Sequence, residues 1–184
     1  MGRRTRYIGW FRSRNDVPWP TLVTSVQRGT VTLNDATDTA TITAVDTARS
    51  VVHYLGALSN ATAGQKPVTA FTRVVLTNAT TVTVKRGDND GQVIISYAVV
   101  EYAPGTLDVQ RGEIALSGTG ATATIAAVDT ARSFLMYGGI YGDTTSAMWN
   151  RTQTHMVLTN STTITATRGL STDNAWIAWQ CITW

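Results

Sequence analysis

Polar and apolar residues alternate with period two in four runs of this chain: Thr30 to Leu33, Thr39 to Val45, Thr80 to Val84 and Thr162 to Ala166. A period of two sends successive side chains to opposite faces of an extended strand, and the enrichment in Val, Ile and Thr suits a pleated, half-buried surface. Gln92 to Tyr102 (QVIISYAVVEY) and Asn174 to Trp184 (NAWIAWQCITW) are instead apolar at both parities. Strands of that kind are covered on both faces. Clusters of Gly, Asn, Asp and Ser punctuate these runs, and no window carries a 3.6-residue apolar stripe. The pattern predicts an all-β chain with strands near 22–33, 39–45, 50–58, 67–77, 80–86 and 92–102 in its first half.

The same pattern is written twice. Val26-Gln27-Arg28-Gly29 returns from Val109, and ITAVDTARS from Ile42 returns as IAAVDTARS from Ile125, at a shift of 109 − 26 = 83 residues. Val75-Leu76-Thr77-Asn78 returns from Val157, and Arg86-Gly87 as Arg168-Gly169, at 157 − 75 = 82. One residue is therefore missing from the second copy, between the counterparts of positions 57 and 74. The expected fold is two tandem antiparallel β-sandwich domains of about six strands each. An N-terminal arm (1–21) precedes repeat 1 (22–102), a linker (103–107) and repeat 2 (108–184).

A unit of this size has a core worth only roughly 3 to 5 kcal/mol, so something else must hold it. Cys181 is the only cysteine, which rules out an intrachain disulfide, and no Cys/His cluster has zinc spacing. Neighbours remain: the other repeat, and other subunits. No stretch reaches the apolar length of a membrane span, and MGRRTRYIGWFRS lacks the apolar core of a secretory signal. The four N-x-S/T sequons, at Asn60, Asn78, Asn150 and Asn160, read as by-products of Thr-rich strands and turns.

Charge is concentrated at one end. The formal net charge is +3, and Arg3, Arg4, Arg6, Arg12 and Arg14 are five cations with no acid among them, leaving 3 − 5 = −2 for the rest. The high pI therefore gives the sandwiches no nucleic-acid character, and nucleic acid is a disfavoured partner. Within the arm, Arg3, Arg4, Arg6, Tyr7, Trp10, Phe11 and Trp19 cannot build a core by themselves. Such a segment is expected to dock on a partner, adding a strand to another sheet or inserting aromatics.

Candidate chemistry is sparse. The repeated DTARS reads as a structural corner, because Asp46 and Asp129 can each accept a bond from the backbone N–H two residues on, and Arg49 and Arg132 lie within reach of the carboxylate. Neither His53 nor His155 is duplicated, their counterparts being Met136 and Arg73, so no catalytic set recurs. No catalytic residue, metal ligand or cofactor is assigned. Asp88-Asn89-Asp90-Gly91 begins like a calcium loop but lacks the distal acid, and reads as a hairpin turn. Arg28-Gly29 and Arg111-Gly112 read as strand bulges beside a half-exposed Arg. Tyr97, Tyr102, Trp176, Trp179 and Trp184 are expected in core and interface, and Tyr141 and Trp149 are candidate glycan contacts.

Taken together, VQRGTVTL, TATITAVDTARSVV, VVLTNATTVTVKRG and ISYAVVEY resemble structural proteins of tailed-bacteriophage virions. The layout also resembles H-type lectin-like domains, compact six-stranded sandwiches that commonly trimerise and occur in phage adhesion proteins. The resemblance spans about 24–184, and the WIA-type motif of the lectin strand is echoed at Trp176-Ile177-Ala178 but not at Ile94-Ile95-Ser96. It implies a non-enzymatic virion protein, assembled in the host cytoplasm as a homotrimer and bound to other virion proteins through its arm. Head decoration, collar or tail, and short fibre all fit. The alternative it implies is a carbohydrate-binding receptor-recognition module of a tail fibre, with a host glycan as partner.

Overall fold

The computed structural model describes residues 22–60, 71–88, 91–142, 153–171 and 173–184. The chain is all-β and antiparallel. Repeat 1 comprises β1 (Val23–Leu33), β2 (Thr37–Thr41), β3 (Ser50–Ser59), β4 (Thr72–Asn78), β5 (Thr81–Arg86) and β6 (Val93–Tyr102). Repeat 2 follows with β7 (Asp108–Leu116), β8 (Gly120–Thr124), β9 (Ser133–Gly142), β10 (Thr154–Asn160), β11 (Thr163–Arg168) and β12 (Ala175–Thr183). The arm, and with it Arg3, Arg4, Arg6, Tyr7, Trp10, Phe11 and Trp19, lies outside the described residues, as does Trp149.

Each repeat stacks two three-stranded layers, β1-β6-β3 over β2-β5-β4 and, in the second copy, β7-β12-β9 over β8-β11-β10. The period-two strands supply one buried face each. In β5 the inward residues are Val82, Val84 and Arg86, and in β11 they are Ile164, Ala166 and Arg168. The first core gathers Leu33, Val74, Val82, Ile95 and Tyr97, and the second Leu116, Ile140, Ile164, Ile177 and Trp179. The two sandwiches are not separate beads. Arg73 of β4 pairs with Gly139 of β9, so the second layer of repeat 1 and the first layer of repeat 2 form one six-stranded sheet, β2-β5-β4-β9-β12-β7.

Two details differ from expectation. The strand predicted over 39–45 leaves its ladder after Thr41, because Asp46 and the turn behind it need the chain to swing toward β3. Bonds from Ile42 N to Thr80 O and from Val45 N to Ala79 O, both 2.9 Å, hold the departing segment while Ile42 and Val45 stay buried. Nor are the Arg-Gly pairs bulges: Gly29 pairs in register with Tyr97, and Gly112 with Trp179. An added Cβ would lie 2.6 Å from the Tyr97 hydroxyl or from the Trp179 ring. The glycine is there so that an aromatic ring can fold across the facing strand, as glycine permits close approach.

Buried arginines lock the ends of both sandwiches. Arg86, 2% exposed, donates from Nε to Asp35 O (3.1 Å) and from Nη2 to Asn34 O (3.0 Å) and Gly91 O (2.8 Å). Arg168 repeats the arrangement on Gly118 O, Leu116 O and Asp173 O. Each guanidinium thereby ties the loop after the first strand to the loop before the last. Its planar fork of donors suits several carbonyls at once.

Candidate functional site

The DTARS phrase builds a corner. Residues Thr47–Arg49 and Thr130–Arg132 each form one 3-10 turn, capped by Asp46 and Asp129. The caps accept from Ala48 N and Ala131 N, 3.0 Å in each copy, and Ser50 and Ser133 close the far side by donating to the backbone oxygen of the capping Asp at 2.6 and 2.7 Å. The bond from Ala48, and after it the Arg49 guanidinium, holds the Asp46 carboxyl below the usual carboxylate range. In repeat 1, Glu101 joins the corner, meeting Arg49 Nη2 at 2.7 Å and accepting from Asp46 N at 3.0 Å. Repeat 2 has Thr183 in its place, bonded to Ser133 at 2.8 Å. In both copies the capping Asp and the following Ser are thus engaged in holding backbone.

A set of interactions without a counterpart within either repeat lies where the repeats meet. Arg111 Nη2 reaches across to two carbonyls of the first corner, Thr47 O and Ser50 O, both at 2.6 Å. Burial pulls the Arg111 guanidinium below its ordinary pKa, which the two carbonyls oppose by binding the charged form. Gln180 brackets one residue of β3, accepting from Val52 N at 2.9 Å and donating to Val52 O at 2.6 Å. Arg73 pairs with Glu113 at 2.6 Å. Behind these polar ties, Val51, Val109 and Ile182 form a small apolar cluster flanked by Tyr102, Leu107 and Met136.

Glycine lets the two backbones touch. Gly139 has φ +99°, and a Cβ on it would sit 2.2 Å from Thr72 O; a Cβ on Gly87 would fall 1.4 Å from Gly142 O. Beside them the Tyr141 ring stacks on Trp176, with centroids 4.9 Å apart and planes 9° from parallel. The Arg73 guanidinium and the Lys85 ammonium lie 5.2 and 5.8 Å from the Tyr141 centroid. Tyr141, a candidate glycan contact, lies half-buried at the junction.

Of the other aromatics singled out in the sequence, Tyr97 and Trp179 fill the two cores, and Tyr102 flanks the junction cluster. Trp184 is exposed and meets Phe134 at 5.4 Å. Three further junction residues, Arg73, Glu113 and Gln180, were not among those singled out. Their signal was the difference between copies, since their counterparts are His155, Thr30 and Ala98.

An open cleft of about 710 Å³ is lined by Phe71, Tyr137, Ile140, His155, Thr167 and Gly169 among others. Among the described residues no group of three His, Cys, Asp or Glu is placed to hold a metal ion, and no helix is long and apolar enough to cross a membrane. No family model, curated protein or solved structure matches the chain.

Proposed function

We propose that this chain is a non-enzymatic structural protein of a tailed-phage virion, built from two copies of one sandwich and fastened to other virion proteins by its N-terminal arm. One observation carries the reading: the chemistry that is specific to a place, as opposed to repeated as scaffolding, is concentrated on sticking one sandwich to another. Arg111, Gln180 and the Arg73–Glu113 pair all serve that end. A duplicated domain whose distinctive side chains are spent on docking is what a building block of a symmetric shell or tube requires. The sequence adds the arm, with its five arginines beside Tyr7, Trp10 and Phe11. The homotrimer implied by the family resemblance would present six such sandwiches around one axis.

The test is incorporation. Deleting residues 1–20 is expected to leave the sandwiches folded, with an unchanged far-ultraviolet spectrum, while the truncated protein disappears from purified particles. Normal occupancy of the particle by the truncated protein would overturn the role given to the arm. Turnover of a substrate by the isolated chain would overturn the non-enzymatic reading.

A further inference from the structure

Each sandwich carries two docking edges, and the chain uses only one of each kind. At the junction, repeat 1 offers what can be called a socket: β4, the first half of β3 and the corner carbonyls. Repeat 2 offers a plug: the second half of β9, with Gly139 and Tyr141, and the outer face of β7 and β12. Because the repeats share one fold, repeat 2 also has a socket and repeat 1 also has a plug. These second edges are where the exposed apolar residues of the described chain collect.

The correspondence can be followed position by position. In the junction cluster, Val51 is 1% and Val109 9% exposed; their counterparts Phe134 and Val26 stand 42% and 40% exposed. Tyr102, which flanks that cluster, corresponds to Trp184 at 53%. Tyr141 is half-buried at the junction, and its counterpart Leu58 is 69% exposed.

Backbone detail repeats as well. Gly56 corresponds to Gly139 and keeps the same unusual conformation at φ +118°, yet a Cβ on it would meet nothing within 4 Å. In repeat 2 that conformation serves close approach to a neighbouring strand; in repeat 1 no strand among the described residues lies against it. Conversely, Arg73, Lys85 and Gly87, on which Tyr141 and Gly142 rest, correspond to His155, Thr167 and Gly169. Those three line the 710 Å³ cleft. The cleft has the position of the socket in repeat 2, and of the described residues of repeat 1 only Phe71 lines it.

We infer that the chain associates head to tail with further copies of itself, the plug of repeat 1 (Gly56, Leu58, Val26) entering the socket of repeat 2 (Phe134, Trp184, the His155 cleft) of the next chain. The occupant is a second copy because its own sequence carries the complementary edge. This deepens the structural-protein reading and rests on its premise that the chain self-assembles. A contact between unlike surfaces closes into a ring or runs on as a filament. In a trimer it would alternate with the junction inside each chain, making six joints of similar geometry.

The two kinds of joint differ in chemistry. Thr30 and His155 stand where Glu113 and Arg73 form an ion pair, and Ala98 where Gln180 brackets a residue of the facing strand. Leu55 replaces Gly138, on which a Cβ would already lie 3.0 Å from Val74 O, so a leucine there sets the two strands further apart between chains. The joint between chains is therefore held by apolar packing, with Arg28 as its one inherited clamp for corner carbonyls.

Two blocked variants of the full chain decide the matter. Leu55→Asp with Leu58→Asp blocks the plug, and Phe134→Asp with Val157→Asp blocks the socket; all four sites are exposed in the single chain. By sedimentation velocity the unaltered chain is expected to associate with rising concentration, and each variant to stay at the mass of one chain, its dissociation constant raised about a hundredfold or more. An equimolar mixture of the variants should form a dimer and stop there, since one good plug and one good socket remain. As a second measure that spares the apolar residues, one chain with Leu58→Cys and another with Thr167→Cys should be joined by a short bis-maleimide. Association that survives both blocks, a mixture that stays monomeric, or absence of that cross-link would overturn this contact while leaving self-assembly by another surface. A monomeric unaltered chain at every concentration would overturn the contact and the self-assembly premise together.

Discussion

The two sandwiches share a fold, a corner and a buried arginine, but β6 and β12, written with the same doubly apolar pattern, end in different surroundings. In β12 both faces are buried from Ala178 to Ile182, because repeat 1 lies over the outer one. In β6 the outward Ile94, Ser96 and Val100 remain only half-covered. A strand that is apolar on both faces is a statement about neighbours as much as about a core. The second copy meets its neighbour within the chain, and the first shows what the same strand looks like before one arrives.

The largest expected effect is one that should not distinguish the copies. Replacing Arg86 or Arg168 by Leu strands several buried carbonyls, and each change is expected to cost about 4 kcal/mol in urea denaturation, hydrogen bonds to charged groups being the strong ones. Unequal losses would mean that the two clamps are not the same device. The two glycines of positive φ, by contrast, should separate the copies. Gly139→Ala adds a backbone clash with Thr72 to the strain of positive φ, for about 3 kcal/mol in total, whereas Gly56→Ala in the isolated chain should show only the conformational part, about 1 to 2 kcal/mol.

Exchanging residues between copies gives a smaller and more pointed effect. Gln180→Ala, which installs the residue of repeat 1, leaves both polar groups of Val52 unpaired and should cost about 1 to 2 kcal/mol of stability. The reverse change, Ala98→Gln, supplies a bracket for Leu135 of a neighbouring chain and should tighten self-association in sedimentation without altering the melting of dilute protein.

The smallest effect is a pH dependence confined to repeat 1. Burial lowers the pKa of His53 from 6.5, so the unfolded chain binds the proton more readily than the folded one. The stability this group confers is complete above pH 6.5 and is lost as pH falls from there through the lower folded value. His53→Met, which copies Met136, should therefore flatten the decline in melting temperature between about pH 7 and pH 5.

How much of this was legible in the sequence depends on the distance over which each feature is decided. The strand pattern and the corner are local. Asp46 reaches Ala48, two residues on, and the turn could be named from the letters. Arg86 was half legible: it shares parity with Val82 and Val84, which marks an inward side chain, but the carbonyls that make burial tolerable come from residues up to 52 positions away. The junction was not legible as contacts at all. Arg28-Gly29 and Arg111-Gly112 are identical in letters, and only the fold sets Arg111 against Thr47 and Ser50. Even so, the places where the repeats disagree, Thr30 with Glu113 and Ala98 with Gln180, mark the surface where their surroundings differ.

A sheet that belongs to both halves has a thermal consequence. With β4 and β9 joined, and Gln180 of one half holding a peptide of the other, neither half can melt and leave its partner's edge intact. A calorimeter should record a single endotherm, where two independent sandwiches would give two. A protease cut between Tyr102 and Asp108 should likewise yield two fragments that travel through a gel-filtration column together.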